Sequence, residues 1–311
     1  NNAWDIPAVV TAGVLAAALG LIVIGGVKRI AHFAQVAVPV MAAGYILVSL
    51  SVVVINIDMV PAVCKLIISS AFGLDAGYGA IIGMAVQWGV KRGVYSNEAG
   101  QGSGPHPAAA AEVSHPAKQG LVQAFSVYVD TLLICSATAF MILLTGLYNV
   151  EDGSGGFLYQ GLPGVDVGPA YVQASFDTIL PGLGSSLLAI ALLFFAFTTI
   201  VAYYYIAETN VMYINRKVHR PWLANLLKLL VICSVIYGGI KSADLAWALG
   251  DVGVGIMAWL NIIAIIILQR PALAALKDYE QQLRDGVDPQ FDPQAVGIEK
   301  ADFWVERKNN L

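Results

Sequence analysis

The sequence predicts an all-α membrane protein, a polytopic helical bundle followed by a polar tail. Hydrophobic residues make up 58% of the 311 residues and charged residues only 12%, roughly half of what a soluble domain carries. Several apolar segments approach the roughly 20 residues that a helix needs to cross a bilayer. A soluble globule therefore fits poorly, and a net charge of −4 without a dense basic cluster argues against a nucleic-acid partner.

The apolar segments predict seven crossings, in order at about 7 to 27, 36 to 57, 77 to 115, 120 to 147, 184 to 206, 221 to 240 and 243 to 268. Two shorter segments, Pro61 to Phe72 and Tyr171 to Leu180, are typical of amphipathic helices at the membrane interface. Glycine and proline are frequent from Glu151 to Pro169, which predicts an extramembrane turn region. Residues 1–270 are therefore predicted to form the transmembrane domain and residues 271–311 a C-terminal tail.

Basic residues in the short loops predict the orientation. One set of loops carries Lys28, Arg29, Lys118, Arg216, Lys217, Arg220 and Arg270. The opposite loops carry only Lys65 and Lys241. The first set is therefore predicted to be cytoplasmic, which places the tail in the cytoplasm and the protein in the cell inner (plasma) membrane.

No constellation for covalent chemistry is present. The three cysteines, Cys64, Cys135 and Cys233, lie in apolar or amphipathic segments with no metal or redox spacing, so we interpret them as packing residues without a disulfide. The histidines near residue 110 lack the spacing of a helical zinc site, and Ser103 lacks the glycine of a nucleophile elbow. The sequence predicts neither an enzyme nor a bound cofactor.

The third crossing is predicted to be interrupted. A continuous helix from Gly77 to His115 would be about 58 Å long, nearly twice the thickness of the hydrocarbon core. It would also place four charged side chains at lipid depth, each with an insertion cost of roughly 2.5 to 3.5 kcal/mol. These side chains are Lys91, Arg92, Glu98 and Glu112. A glycine-rich break between about Tyr95 and Pro105 resolves both problems.

Such a break marks a candidate binding site, because unwound backbone at membrane depth survives only where it is buried or lines a watery cavity. The free amides of a second half-helix starting at Pro105 would suit a carboxylate. Carbonyls freed by the break would suit a cation or an ammonium group. Together they describe an amino-acid zwitterion and a sodium ion, although a re-entrant loop with a purely structural role stays open.

Two further crossings carry candidate ion ligands. Asp130 lies near mid-membrane, where a carboxylate can ligate a cation, take a proton, or pair with a basic side chain of the third crossing. Thr198 and Thr199 offer paired hydroxyls, with Tyr203 one turn beyond Thr199 on the same face. These hydroxyls can complete a sodium site or simply bond to carbonyls of their own helix.

The segment from Gly89 to Pro105, GVKRGVYSNEAGQGSGP, followed by four alanines and Glu112, resembles the alanine or glycine:cation symporter family. Three other stretches agree with that resemblance: Gly25 to Ile30, Asp130 to Ala139 and Phe195 to Ile200. The tail from Phe291 to Trp304 is also similar to the family's ending. The similarity runs over nearly the whole chain.

The resemblance implies a leucine-transporter-type fold, in which two inverted repeats of five helices surround a central site. On that basis the chain is the C-terminal portion of a symporter, incomplete at the N-terminus, and supplies core helices four to ten. The interrupted crossing would be core helix six. Asp130 would lie on core helix seven, and Thr198 and Thr199 on core helix eight.

The resemblance also implies site residues. Substrate would be bound by Ser96, Asn97, Glu98, Ala99, Gly100, Gln101, Gly102, Ser103 and Gly104, together with Thr199 and Tyr203. The sodium ligands would be Thr198, Thr199 and Asp130. The family usually has Met at the position of Gln101, Ala at Gly104 and Trp at Tyr203, so a substrate such as glutamine becomes plausible.

The function implied is sodium-coupled symport of a small neutral amino acid, of the alanine or glycine type, by alternating access across the cytoplasmic membrane. The partners would be the amino acid, a sodium ion and the lipid bilayer. A glutamine or proton-coupled transporter of the same fold is the first alternative. An ion channel is the second, and it fits less well because polarity is concentrated at one break.

Overall fold

The computed structural model describes residues 6–24, 26–72, 79–151, 156–165, 168–216, 220, 222–240 and 243–309. Its α-helices are α1 (Ala8–Ile24), α2 (Gly26–Ile55), α3 (Val60–Ala71), α4 (Gly79–Asn97), α5 (Pro105–Ala110), α6 (Pro116–Tyr128), α7 (Ser136–Thr145), α8 (Pro169–Asp177), α9 (Gly184–Asn215), α10 (Trp222–Ile240), α11 (Ala243–Arg284) and α12 (Asp302–Asn309). A π-helical segment, Val129–Cys135, joins α6 to α7. The expected start of the third crossing near Gly77, and Lys217 and Lys241 in the loops, lie outside the described residues.

Five helical stretches within the described ranges are long and apolar enough to cross a membrane, as a multi-pass membrane protein requires: Gln35–Ile55, Pro116–Thr145, Gly184–Asn215, Trp222–Ile240 and Ala246–Arg284. They coincide with five of the predicted crossings, and α1 is a shorter apolar helix. Helix α2 begins at Gly26, well before its predicted start near residue 36. Polar residues in its first turns hide this extension from a search for apolar runs.

The chain divides into two compact units. The first unit comprises residues 1–88 and 132–246, and the second comprises residues 89–131 and 247–311. In the first unit, α1 packs against α9 and α10 through a buried cluster of Leu19, Val23, Phe197, Val201 and Tyr204. Helix α2 packs against α7, α8 and α9 through Val52, Met141, Phe176 and Leu188.

The two short helices predicted at the interface are present as α3 and α8. Between α7 and α8 the chain forms an antiparallel hairpin of β1 (Asn149–Glu151) and β2 (Phe157–Gln160), with Val150 opposite Tyr159. The sequence predicted only a turn region here. Strands of three and four residues inside a glycine-rich stretch are too short to give a clear alternating pattern.

The predicted break in the third crossing is confirmed, since α4 ends at Asn97 and α5 begins at Pro105. The second half-helix is shorter than expected and has only six residues. The helix already ends at Ala110, since Ala111 is extended with φ −78° and ψ 130°, and Pro116 in addition pushes the residue before it out of the helical region. His115 is indeed extended, with φ −144° and ψ 133°.

The last long helix continues past the change in composition at Arg270. Helix α11 contains Pro271 and ends at Arg284. The first part of the predicted tail is therefore the end of this helix, and the remainder is irregular until α12. Charged residues exposed on a helix end do not by themselves terminate the helix.

Candidate functional site

The unwound segment, residues 98–104, turns through three left-handed backbone conformations. Their φ angles are +52° at Glu98, +91° at Gly100 and +86° at Gly102. Glycine adopts this region freely, whereas a residue with a Cβ atom does so at roughly 1 to 2 kcal/mol. The density of glycine in the sequence is therefore what allows the chain to unwind here.

Two polar side chains hold the segment from within. Gln101 is 2% exposed, and its Nε2 donates a hydrogen bond of 2.7 Å to the carbonyl of Val94 in the last turn of α4. Ser103 is fully buried, and its Oγ donates to a carboxylate oxygen of Glu98 at 2.5 Å. The last carbonyls of a helix lack partners within the helix, so Gln101 acts as a side-chain cap for α4.

The outer face of the same segment lines a cavity of about 1090 Å³ in the second unit, large enough for a small metabolite. Seven of the nine residues predicted in the break line it: Ser96, Asn97, Glu98, Ala99, Gly100, Gly102 and Gly104. Gln101 and Ser103 do not. Asn261 of α11 and Trp304 of α12 also line this cavity, and sequence reasoning did not identify either.

Asp130 lines the cavity from the π-helical segment. Ser96 Oγ donates to Asp130 Oδ2 at 2.6 Å. One residue further along each helix, Asn97 Nδ2 donates to Thr131 Oγ1 at 2.7 Å. Segments of π-helix are frequent at functional sites because they re-aim side chains, and no pattern in the sequence revealed this one.

The basic residues of α4 lie beside α11. Lys91 Nζ forms an ion pair of 2.5 Å with Asp251 Oδ2, a partner that the sequence did not suggest. The guanidinium of Arg92 lies 4.9 Å from the ring centroid of Trp247. Both arrangements lower the cost of placing a cation at this depth.

The hydroxyl groups predicted for the sodium site lie on α9, in the first unit. Thr198 Oγ1 donates to the carbonyl of Phe194 at 2.9 Å, and Thr199 Oγ1 donates to the carbonyl of Phe195 at 2.8 Å. This is the local bonding that the sequence left open. Since each hydrogen is directed to a carbonyl, the oxygen lone pairs remain available to a cation. Tyr203, on the same helix, is 37% exposed.

The chain after α11 folds onto residues 113–118. His115 is fully buried, with its ring centroid 5.0 Å from that of Phe291. The backbone N–H of Ala117 donates to His115 Nδ1, so Nε2 carries the hydrogen and donates to Asp278 Oδ2 at 3.2 Å. Burial lowers the pKa of His115, which immediately precedes the span that begins at Pro116, and outweighs the opposing effect of Asp278.

The same docking includes an ion pair of 2.5 Å between Lys118 and Asp288, a backbone hydrogen bond from Phe291 N–H to the Ser114 carbonyl, and one from the Arg307 guanidinium to the Val113 carbonyl. The tail is therefore attached to the non-helical link between α5 and α6. Its attachment brings α12 to the cavity that the break lines.

Comparison with known proteins places this chain in a family. The model of the sodium:alanine symporter family matches residues 1–293. The chain belongs to the sodium:alanine symporter family. The resemblance drawn from the glycine-rich break is therefore confirmed, whereas the expectation that the chain is only a C-terminal portion is not borne out by a family match over nearly its whole length.

Three relatives show which members of the family this chain resembles. The chain is 61% identical over 304 residues to a putative sodium/proton-dependent alanine carrier protein of Bacillus subtilis, covering 98% of this chain and 63% of the relative. It is 55% identical over 305 residues to the sodium/proton-dependent alanine carrier protein of Bacillus sp. strain PS3, covering 98% and 68%. It is 41% identical over 278 residues to a probable sodium/glutamine symporter of Bacillus subtilis, covering 89% and 55%.

The chain thus spans roughly two thirds of the length of the two more similar relatives. The family and these relatives are transporters, not enzymes.

Proposed function

We propose that this protein is a sodium-coupled symporter of a small neutral amino acid of the alanine type, working by alternating access in the cell inner membrane. The observation that carries the proposal is the broken helix with its adjoining cavity of about 1090 Å³ in a chain of this family. The named alanine carriers support alanine over glutamine, because they are 61% and 55% identical against 41% for the glutamine symporter.

The cavity supplies complementary groups for a zwitterion. Glu98 and Asp130 are carboxylates on its wall and favour an ammonium group or a cation. The second half-helix, with six residues, is too short to provide the strong dipole that the sequence suggested for the carboxylate end. We therefore assign the carboxylate end to neutral donors of the cavity and the polar backbone of residues 98–104.

Sodium enters the proposal as a transported ion. In the second unit, Asp130 would offer a charged oxygen to a sodium ion. In the first unit, Thr198 and Thr199 would offer hydroxyl oxygens whose hydrogens already point to carbonyls. Thr199 and Tyr203 are also proposed as substrate-binding residues of that unit. Proton coupling is the competing possibility, because both alanine carriers are described as sodium/proton-dependent.

The finer fold is part of the same proposal. A leucine-transporter-type inverted repeat, with α4 and α5 as one of its broken helices, accounts for unwound backbone beside a cavity. Transport would follow from differing affinities of the loaded and empty protein for its outward- and inward-open states. The tail from residue 271 onward would face the cytoplasm.

Uptake of radiolabelled alanine, glycine and glutamine into proteoliposomes carrying the complete protein tests the proposal. We expect alanine uptake that requires an inward sodium gradient and stops when the gradient is collapsed. Uptake driven by a proton gradient alone would show that the coupling ion is the proton and not sodium. Current that flows without any amino acid would favour a channel, and failure of all three substrates under both gradients would overturn the assigned substrate class.

A further inference from the structure

Asn261 is a polar side chain that the family assignment leaves without a role. It lies in the apolar stretch of α11 from residue 256 to residue 268, where it is the only carboxamide. A carboxamide in an apolar environment costs several kcal/mol unless it is hydrogen-bonded. Its position therefore requires a partner or a function.

Two other asparagines in apolar helices form side-chain hydrogen bonds within their own helix. Asn56 Nδ2 donates to the carbonyl of Val52 and Asn210 Nδ2 donates to the carbonyl of Ile206, each four residues earlier and at 2.9 and 2.8 Å. Asn261 makes no such bond, and its side chain has no hydrogen-bond partner among the described residues. Its amide instead opens into the cavity beside the broken helix.

Gly102 fixes where the amide lies in that cavity. A Cβ atom added to Gly102 would lie 3.1 Å from Asn261 Oδ1 and 3.2 Å from Asn261 Cγ. The absence of a side chain at Gly102 therefore leaves room for Asn261 against the unwound backbone. By contrast, a Cβ atom at Gly100 would meet nothing within 4 Å.

The charges of the cavity indicate which part of a ligand Asn261 would contact. Glu98 and Asp130 repel a carboxylate and attract an ammonium group. The Arg307 guanidinium on the cavity wall donates to the carbonyl of Val113. Asn261 lies on α11, a different element from both carboxylates, and its neutral N–H can donate to the acidic end of a zwitterion, since hydrogen bonds to charged groups are the stronger ones.

We propose that Asn261 is a substrate-contacting residue whose amide donates a hydrogen bond to the α-carboxylate of the transported amino acid. This inference rests on the proposed symport of an amino acid. It adds α11 to the elements that recognise the substrate, and it makes Gly102 the residue whose size admits Asn261 to the site.

The test compares alanine with alaninamide, which lacks the carboxylate, as competitors of labelled alanine uptake in proteoliposomes of the complete protein. Asn261→Leu retains the side-chain size and suits an apolar helix. This variant should weaken inhibition by alanine at least about tenfold, because one hydrogen bond to a charged group is lost. Inhibition by alaninamide should weaken less than about threefold. Asn210→Leu makes the same change where the amide is bonded within its own helix, and should leave both values near those of the unchanged protein.

Two further variants separate contact from packing. Asn261→Asp is nearly isosteric but negatively charged, so it should also weaken alanine more than alaninamide. Gly102→Ala should weaken alanine binding more than Gly100→Ala, because both glycines have left-handed backbones, at φ +86° and +91°, and only the methyl group at Gly102 would crowd Asn261. Adding Asn261→Ala to Gly102→Ala should not restore binding if the amide is needed. Restoration in the double variant would show a packing role and overturn the inference.

The outcomes for the inference and for the proposed function are distinct. Alanine uptake by the unchanged protein, with an unaltered ratio of alanine to alaninamide inhibition in Asn261→Leu, would overturn the role of Asn261 alone. A collapse of that ratio in Arg307→Gln, but not in Asn261→Leu, would move the carboxylate contact to the tail. Absence of amino-acid uptake by the unchanged protein would overturn the proposed function and this inference together.

Discussion

Replacement of Gln101 by methionine should loosen the break without touching the cavity wall. Gln101 Nε2 donates to the Val94 carbonyl at 2.7 Å, and the side chain is 2% exposed. Methionine has a similar length and fills the same space, but it has no donor. The Val94 carbonyl would then lose this hydrogen bond.

The magnitude follows from the burial of the Gln101 side chain, which keeps water away from this hydrogen bond. A buried acceptor that loses its donor costs about 1 to 3 kcal/mol. This corresponds to roughly a 5- to 150-fold increase in the fraction of molecules in which the segment opens. Local opening of this kind appears in hydrogen exchange as faster exchange of the amides that the segment protects.

The measurement is hydrogen–deuterium exchange by mass spectrometry on the purified protein, with peptides that cover residues 94–106. The N–H of Gln101 donates to the Glu98 carbonyl and that of His106 to the Ser103 carbonyl, each at 3.1 Å, so both amides report on the segment. We expect their exchange to accelerate by the factor given above. Gln123→Met is the control, because Gln123 lines the cavity and has no side-chain hydrogen bond among the described residues.

One result would refute this reasoning. If Gln101→Met leaves exchange unchanged but alters the apparent affinity for the amino acid, Gln101 contacts substrate and does not cap α4. Faster exchange together with an unchanged substrate preference would show that Gln101 stabilises the break.

Three further predictions concern ion coupling, pH and the backbone of the break. Asp130→Asn should raise the sodium concentration for half-maximal uptake about tenfold or more. Ser96→Ala, which removes only a hydrogen-bond donor to that carboxylate, should raise it only a few-fold. If Asp130→Asn has the same sodium dependence of uptake as the unchanged protein, Asp130 is not an ion ligand. Because burial lowers the pKa of His115 in the folded state, the unfolded state takes up more protons, and the free energy of unfolding should fall as the pH drops below about 6.5. Thermal unfolding between pH 8 and pH 5 should show a weaker pH dependence in His115→Phe, and equal slopes would contradict this. Gly100→Ala should lower the free energy of unfolding by about 1 to 2 kcal/mol, because Gly100 has φ +91° although its added methyl group would meet nothing. Gly13→Ala, inside α1 and also in open space, should leave the free energy of unfolding unchanged or raise it. Equal effects of the two variants on thermal unfolding would argue against backbone strain at Gly100.

Much of the architecture followed from the sequence because bilayer physics leaves few choices. A run of apolar residues near 20 must be a helix in lipid, so the spans that end near Ile55 and Thr145 and those formed by α9 and α10 were predictable. The break was predictable for the same reason. Charged side chains and glycines from Lys91 to Gly104 cannot continue a lipid-exposed helix, and the structure unwinds at Glu98.

Short elements and helix ends were less predictable. The strands near Val150 and Tyr159 pair across the chain, and that pairing is invisible to a local pattern. The second half-helix ends at Ala110, where Ala111 is extended, and only the extended backbone of His115 follows from the local rule for a residue before proline. Helix α11 continues to Arg284, and its Tyr279 packs against His115, a contact between residues distant in sequence.

The site divides in the same way. The sequence by itself determined that residues near Asn97 and Gly102 leave the helix, because glycine content and charge are local properties that the bilayer selects against in a helix. Only the tertiary structure decided that Gln101 faces inward to Val94 and that Asn261 stands at Gly102. The first assignment depends on how the unwound chain folds back on the end of α4, and the second on packing between residues far apart in the sequence, and neither is fixed by a local sequence pattern.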